Sequence, residues 1–394
     1  MPKNCFRTSS RRMRHARSHT DTRRTIMTEG QGRVPSIVRD ELPLAGRRLL
    51  LVPGQTRTSE EVLRASATSF ESWSEVERAD TECRDGLTPL FGTEQAGIVV
   101  VPGAASLGME VAVVAASPPG AVVLVLVHGP QGDHIAYVVS RRGRVADILR
   151  AQEGGSVDPK LLRARLIETR PSAIVVSHVD ADSGIVAPID DYAAVAREVA
   201  PETLLVVDGT WAASCMLQRM DDWHADIVFT DSASTLGGCS GLMLAAVSSR
   251  VSMRKVRHDA AASLYIELAR WSSPTGAEVP PSLVFALRAA LRRIYAEGLS
   301  ARFARCDGVA RGFQEEAAAH GFRVVAPPGH EAATLTALRP PAGVDVQELH
   351  AALERHGVDV GMGSAGLIVA HTGDTSPNDL QRFWHAVEAL HLQT

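Results

Sequence analysis

The pattern of apolar and polar positions along the chain is that of buried strands alternating with helices. From residue 98 onward, short apolar runs rich in β-branched residues alternate with segments of helical periodicity. Continuous apolar runs separated by helices of about 10–15 residues are typical of a parallel sheet covered on both faces. The runs that predict strands are residues 98–101, 121–127, 173–178, 203–208, 226–230 and 242–247.

The pattern changes after Pro280. A helical stripe opened by prolines covers residues 280–298, and a second long helix follows it. Beyond about residue 300, shorter strand-like runs alternate with helices. The sequence therefore predicts an α/β protein with a large domain over residues 27–300 and a small C-terminal α+β domain over residues 301–394.

Composition places the chain among ordinary globular proteins. Its 394 residues are 45% hydrophobic and 22% charged. No apolar run approaches the ~18 residues that a membrane helix requires, so we expect no membrane partner. The five cysteines are odd in number and form no C-x-x-C pair, which signals neither a disulfide framework nor a zinc site. A cytoplasmic location is expected.

Charge is distributed unevenly. Residues 1–26 carry Lys3 and seven arginines against Asp21, a net +7, so the total of −4 leaves −11 for the remainder. A body this acidic is a poor nucleic-acid binder. The basic segment loosely resembles a transit peptide but has too few apolar residues to fold, which predicts a disordered leader, with Met27 as an alternative start.

Five motifs occur in an order that identifies a family. They are LLLVPGQTRTSEEVLRA from Leu49, DGLTPLFGT, SHVDADSGIVAPID, LLVVDGTWAAS and IVAHTGDTSPNDL. Together they resemble the class V aminotransferases of the fold-type I pyridoxal phosphate enzymes, in the alanine–glyoxylate and 2-aminoethylphosphonate transaminase branch. The resemblance runs from about Leu49 to the C-terminus. It implies a mainly parallel seven-stranded sheet and a homodimer with its sites at the subunit boundary.

The stretch PGAAS predicts an anion site. A strand, a glycine and a helix start come together there, and the first amides of a helix bind anions. The alternative is a structural turn with no ligand. The resemblance implies that this loop holds the cofactor phosphate, through Gly103, Ala104, Ala105 and Ser106.

Asp208 ends an apolar strand, at the sheet edge where ligands bind in such folds. The resemblance implies that it holds the pyridine nitrogen of the cofactor protonated, with Thr210 and Gln131 also at the cofactor. The alternative is that Asp208 caps a helix.

The loop FTDSASTLGGCSG lacks a lysine that the family carries. Counting back from Gly241 places Ser234 where the resemblance implies the Schiff-base lysine. The chain has only three lysines, Lys3, Lys160 and Lys255, and none is in this loop. Because a serine hydroxyl is a very weak base, the proton-transfer contribution of about 10²–10⁴ in rate would be lost. The sequence therefore disfavours ordinary transamination.

Three further positions depart from the family pattern. Gln131 stands where the resemblance implies a tryptophan stacked on the cofactor ring, and Ile368 stands where it implies the arginine that binds the substrate carboxylate. Val279 stands where it implies a threonine that reaches the partner subunit's phosphate. Loss of the lysine and the arginine together indicates changed or abandoned chemistry.

Acidic side chains follow three neighbouring strands of the predicted sheet. Clustered carboxylates raise each other's pKa unless a cation or a hydrogen-bond donor intervenes. Three alternatives stay open: a divalent cation held by oxygen ligands, a cationic amine substrate, or, for Asp180, Asp182 and Asp231, carboxylates that cap loops or helices and point to solvent. No metal ligand is assigned. The candidate catalytic residues are Ser234, Asp208, His178, Asp180, Asp182 and Asp231.

Two classes of function follow. The first is an enzyme with repurposed chemistry on a small amine or amino-acid-derived substrate, using pyridoxal or pyridoxamine phosphate without a covalent link or no cofactor at all. The second is an inactive relative that serves as a scaffold or binds a ligand. An ordinary pyridoxal phosphate-dependent aminotransferase is the remaining alternative.

Overall fold

The computed structural model describes residues 48–54, 57–152, 154–253, 263–271 and 279–390. The predicted leader, Gln55 and Lys255 lie outside these residues. The strands are β1 (Leu49–Leu51), β2 (Gly97–Pro102), β3 (Val122–Val127), β4 (Val145–Arg150), β5 (Ala173–Ser177), β6 (Leu204–Asp208), β7 (Ile227–Asp231), β8 (Leu242–Val247), β9 (Arg323–Val324), β10 (Leu335–Arg339), β11 (Val358–Met362) and β12 (Leu367–Ala370).

The helices cover both faces of a large sheet and one side of a small one. They are α1 (Glu60–Ser66), α2 (Trp73–Phe91), α3 (Ala105–Ala116), α4 (Pro130–Arg141), α5 (Pro159–Thr169), α6 (Ile189–Val199), α7 (Met220–Trp223), α8 (Ser249–Met253), α9 (Leu268–Trp271), α10 (Pro281–Glu297), α11 (Leu299–Ala319), α12 (Val346–Arg355) and α13 (Pro377–Ala389).

The large sheet has seven strands in the order β2-β8-β7-β6-β5-β3-β4. All are parallel except β8, which runs antiparallel to both β2 and β7. Strands β5, β6 and β8 are buried along their whole length, which explains their unbroken apolar sequences. The α/β fold with a mainly parallel seven-stranded sheet is confirmed.

One strand of this sheet has no counterpart among the predicted runs. Strand β4 pairs only with β3, at the edge of the sheet, and it is largely exposed. Its sequence VADILR contains Asp147 and Arg150 and gives no continuous apolar run. An edge strand with charged side chains resists pairing with other chains. The same charged residues interrupt the apolar run from which a strand would be predicted.

The small sheet has the order β1-β11-β12-β10-β9. Strand β1 pairs in parallel with β11, with Leu49 opposite Val358, so the N-terminal strand joins a sheet otherwise built after residue 300. The chain then leaves β1 through Val52 and Pro53. This route brings the start of the described chain to the candidate site.

No helix in the described ranges is both long enough and apolar enough to cross a membrane.

Packing of α3 on the sheet depends on a small residue. A Cβ added to Gly108 would lie 2.5 Å from a ring carbon of Phe229 and 3.1 Å from Cγ of Met243. Both neighbours are buried in the main core. Helix α3 can approach β7 and β8 this closely only because Gly108 has no side chain.

We therefore predict that Gly108→Ala lowers the free energy of unfolding by about 1–3 kcal/mol, because the added methyl group overpacks the core. Gly312→Ala is the matched control, since Gly312 lies within α11 and a Cβ there meets nothing within 4 Å. The control should stabilise the chain by up to about 1 kcal/mol through higher helix propensity. Urea unfolding of both variants measures the difference, and equal effects would contradict the packing assignment.

Candidate active site

The carboxyl ends of three parallel strands bring the candidate residues to one edge of the large sheet. Ser177 at the end of β5 lies opposite Asp208, and Asp208 lies opposite Phe229 of β7. The loops that leave these strands carry His178 to Asp182, Thr210, and Asp231 to Ser234. This edge is where ligands bind in open parallel sheets.

Asp208 is a buried carboxylate with three donors. Its Oδ1 accepts the amide of Thr210 at 3.0 Å and the Thr210 hydroxyl at 2.5 Å, and its Oδ2 accepts Nε2 of Gln131 at 3.3 Å. Burial raises the pKa of Asp208, the hydrogen bonds from Thr210 oppose that shift, and the nearby charge of Asp231 adds to it. Asp208, Thr210, Gln131 and Asp231 therefore form one group.

Ser234 is bonded to Asp231 through both its amide and its hydroxyl. Asp231 Oδ1 accepts the amides of Ala233 at 2.8 Å and Ser234 at 2.6 Å, and its Oδ2 accepts the Ser234 hydroxyl at 2.8 Å. Ser234 is only 3% exposed. Burial raises the pKa of Asp231, and the bonds from Ser234 and Ala233 oppose the shift. The serine hydroxyl thus serves as a donor to this carboxylate.

Asp180 is satisfied within its own turn. Its Oδ1 accepts the amides of Asp182 and Ser183 and the Ser183 hydroxyl, the last two at 2.9 Å. Burial raises the pKa of Asp180, and its bonds to Ser183 oppose that rise. A Cβ added to Gly129, just before α4, would lie 2.5 Å from Asp180 Oδ1. Asp180 therefore packs against the start of α4.

Asp182 joins the large sheet to the small one. Its carboxylate accepts the amide of Ser364 at 3.0 Å and also the Ser364 hydroxyl. Ser364 lies in the turn between β11 and β12. The two residues are 182 positions apart in the sequence, so no local pattern could predict this contact.

His178 points to a different environment. Its Nδ1 lies 3.2 Å from Oε1 and 3.1 Å from Nε2 of Gln218, and its ring meets Trp223 edge to face at 5.3 Å between centroids. Burial lowers the pKa of His178 from 6.5 to about 4. A neutral, packed imidazole fits a structural role better than a catalytic one.

The predicted phosphate loop forms the start of α3. Ala104 is the N-cap, and the Leu107 amide donates to its carbonyl at 2.9 Å. Within the described chain, no acceptor is bonded to the amides of Ala105 and Ser106. The Gly103 amide donates to the Gly241 carbonyl at 2.7 Å, so this loop lies beside the end of the loop that carries Ser234.

A cavity of about 440 Å³ lies beside Gln131. Ile368, at the position that resembles the family's substrate arginine, forms part of its wall. The residues that line it are Val52, Pro53, Pro130, Gln131, Ala181, Asp182, Gly361, Met362 and Ile368. The cavity thus touches the group around Asp208 through Gln131 and reaches the small sheet at β11 and β12.

Arg302 on α11 is hydrogen-bonded to the Ser234 loop, and the sequence did not predict this contact. From α11, its guanidinium donates to the carbonyls of Ser214 at 2.9 Å and Thr235 at 3.0 Å, and it pairs with Glu297 at 3.0 Å. An arginine on a long helix usually faces solvent, so no signal in the sequence could have distinguished this one. Arg302 is only 3% exposed.

In the part of the chain that the structure describes, no three His, Cys, Asp or Glu residues are placed to hold a metal ion. Val279 is buried in the main apolar core just before α10. What the strand ends bring together is therefore a set of capped carboxylates next to a helix start.

Comparison with known proteins identifies the family. The aminotransferase class-V family model matches residues 59–375, most of the chain. The chain therefore belongs to the class V aminotransferase family, as the sequence predicted.

The matched relatives have low sequence identity to this chain but align with most of its length. Alanine–glyoxylate aminotransferase 1 of Saccharomyces cerevisiae is 24% identical over 303 residues, 71% of this chain and 78% of that protein. 2-Aminoethylphosphonate–pyruvate transaminase 1 of Burkholderia lata is 27% identical over 287 residues, 70% of this chain and 76% of that protein. The crystal structure of an alanine–glyoxylate aminotransferase from Nostoc sp. superimposes with a TM-score of 0.82 at 26% identity, covering 91% of this chain and 99% of that one.

The low pKa of His178 predicts a pH-dependent stability. The imidazole of His178 is protonated below pH 6.5 in the unfolded chain but only near pH 4 in the folded chain. Its contribution to the free energy of unfolding is therefore fully present above pH 6.5. It is lost as the pH falls from 6.5 toward 4, with a slope of up to about 1.4 kcal/mol per pH unit.

His178→Gln should therefore lose less thermal stability than the unmodified chain between about pH 7 and about pH 5. His134→Gln, on the exposed side of α4, is the control and should keep the original pH dependence. Melting temperatures across this range measure the effect. Parallel curves for His178→Gln and the unmodified chain would show that His178 does not titrate as its burial implies.

Proposed function

We propose that this chain is an enzyme that holds pyridoxal or pyridoxamine phosphate without a covalent bond. It acts on a small amine or amino-acid-derived substrate by chemistry other than ordinary transamination. The proposal is supported by Ser234, which stands where the resemblance to the family implies the lysine and donates its hydroxyl to Asp231. A cytoplasmic homodimer with its sites at the subunit boundary is part of the same proposal.

The residues present fit the two anchoring points of the cofactor. The unbonded amides of Ala105 and Ser106 at the start of α3 would hold the phosphate, with the helix dipole favouring its negative charge. The buried carboxylate of Asp208 would hold the ring nitrogen. When bound, the cofactor supplies an electron sink for a carbanion formed on the substrate.

The residues do not supply an amine for a covalent link. The Ser234 loop, from Asp231 to Gly241, contains no lysine, and Lys160 is exposed on α5. Asp231 is the carboxylate in this loop, and burial raises its pKa while the hydrogen bonds from Ser234 and Ala233 oppose that rise. We assign Asp231 Oδ2 the task of holding a proton that the family gives to lysine.

An inactive, ligand-binding or scaffolding role is the second candidate. It is favoured by the bond from Gln131 Nε2 to Asp208 Oδ2, because that amide already uses an oxygen that the ring nitrogen would need. An enzyme requires Gln131 to share or release this oxygen when the cofactor binds. A scaffold has no such requirement.

Cofactor binding separates the two candidates. We predict saturable, reversible binding of pyridoxamine 5′-phosphate, one per chain, measured by isothermal titration calorimetry. Asp208→Ala should weaken the affinity about tenfold or more, since a hydrogen bond to a buried charge contributes about 1.5–3 kcal/mol. Asp222→Asn, exposed on α7, is the control and should bind normally. No saturable binding would favour the scaffold.

Restoring the amine tests the assignment of position 234. We predict that Ser234→Lys forms an adduct with pyridoxal 5′-phosphate at residue 234 that borohydride fixes, because the new amine would point at the cofactor carbonyl. Ser234→Ala, the matched control, should bind the cofactor and give no fixed adduct there. Peptide mass mapping locates the adduct, and its absence from folded Ser234→Lys would show that position 234 does not face the cofactor.

A further inference from the structure

The 440 Å³ cavity beside Gln131 has apolar walls. Ile368 and Met362 come from the small sheet, and the walls on the other sides come from loops of the large sheet and from the chain that follows β1. The apolar lining consists of Val52, Pro53, Pro130, Ala181, Met362 and Ile368. Such a lining fits a ligand with an apolar body.

Asp182 is the charged side chain among the described residues that line the cavity. Its carboxylate accepts the amide and hydroxyl of Ser364, and a carboxylate has about four acceptor positions, so it can accept a further donor. A Cβ on Gly363 would lie 2.7 Å from both Asp182 Oδ1 and Ile368 Cδ1. The negative charge and the apolar wall are therefore immediate neighbours.

Gln131 contributes a second acceptor. Its Nε2 donates to Asp208 Oδ2, which fixes the orientation of the side-chain amide and leaves Oε1 at its other end. Within the described chain, no group donates to this Oε1. Among the side-chain polar atoms of the described lining residues, the oxygens of Asp182 and Gln131 are acceptors, and one of the two N–H groups of Gln131 Nε2 is engaged by Asp208.

A carboxylate ligand would meet only Asp182 as a charged side chain among the described residues that line the cavity. The described lining contains no lysine, arginine or histidine, and Ile368 occupies the position that resembles the family's carboxylate-binding arginine. Asp182 would repel a second negative charge, whereas an ammonium group brings three donors and a positive charge to the available acceptors.

We propose that this cavity binds a primary amine with an apolar body and no carboxylate, and that Asp182 and Gln131 Oε1 recognise its ammonium group. This inference rests on the proposed function, because it names the substrate class of that enzyme. Binding itself requires no cofactor, so the two can be tested apart.

Two ligands that differ by one group provide the test. Pentylamine is norleucine without the carboxylate, and isothermal titration calorimetry compares the two on the full chain with no cofactor added. We expect pentylamine to bind and norleucine to bind at least about tenfold more weakly, since a like charge beside Asp182 is unfavourable. Norleucine binding as tightly as pentylamine, or no binding of pentylamine, would overturn the proposal.

Two variants test the residues, each with a matched control and a check of the melting temperature. Asp182→Asn should weaken pentylamine binding about tenfold or more, while Asp222→Asn removes an exposed carboxylate on α7 outside the cavity lining and should bind as well as the unmodified chain. Ile368→Arg should bind norleucine more tightly than pentylamine, and Ile368→Leu should keep the original preference. Unchanged pentylamine affinity in Asp182→Asn would show that this carboxylate does not bind the ligand and would overturn the assignment.

Failure of this inference and failure of the proposed function give different results. Binding of pyridoxamine 5′-phosphate without binding of pentylamine would overturn the amine site and leave the cofactor proposal standing. Binding of pentylamine without binding of pyridoxamine 5′-phosphate would leave the amine site standing and contradict the cofactor proposal.

Discussion

The carboxylate of Asp231 determines the shape of the loop on which the candidate site depends. It accepts two consecutive amides and the Ser234 hydroxyl, and so folds the chain back immediately after β7. Arg302 holds the next residue, Thr235, by its carbonyl, and Gly103 donates to the carbonyl of Gly241 at the far end. The loop is therefore fixed at its start, its middle and its end.

Local capping explains how this sheet edge tolerates several acidic groups. An uncompensated buried charge costs several kcal/mol, whereas each hydrogen bond to a charged group returns about 1.5–3 kcal/mol. Asp180, Asp208 and Asp231 each accept two or three donors from residues close in sequence. Burial still raises the pKa of all three, so the capping compensates for burial only in part. These three carboxylates are capped within their own loops, but Asp180 is buried and does not point to solvent as the capping alternative predicted. Asp182 lines the cavity.

Most of the large sheet could be predicted because its strands are buried on both faces and therefore read as apolar runs. Strand β4 could not, since an edge strand carries charges, and β1 could not, since three residues carry too little pattern. The position of Asp208 at a strand end was visible in the sequence. The bonds from Ser364 to Asp182 and from Arg302 to Thr235 were not, because contacts across 182 and 67 residues depend on side-chain direction in the folded chain.

The central claim is that no lysine of this chain bonds covalently to the cofactor. Incubating the unmodified protein with pyridoxal 5′-phosphate, reducing it with borohydride and mapping the tryptic peptides by mass spectrometry tests this claim most directly. We expect the cofactor to be lost on dialysis and no lysine to carry a stoichiometric reduced adduct. A reduced adduct near one per chain on Lys3, Lys160 or Lys255 would demonstrate a covalent link and restore an ordinary aminotransferase.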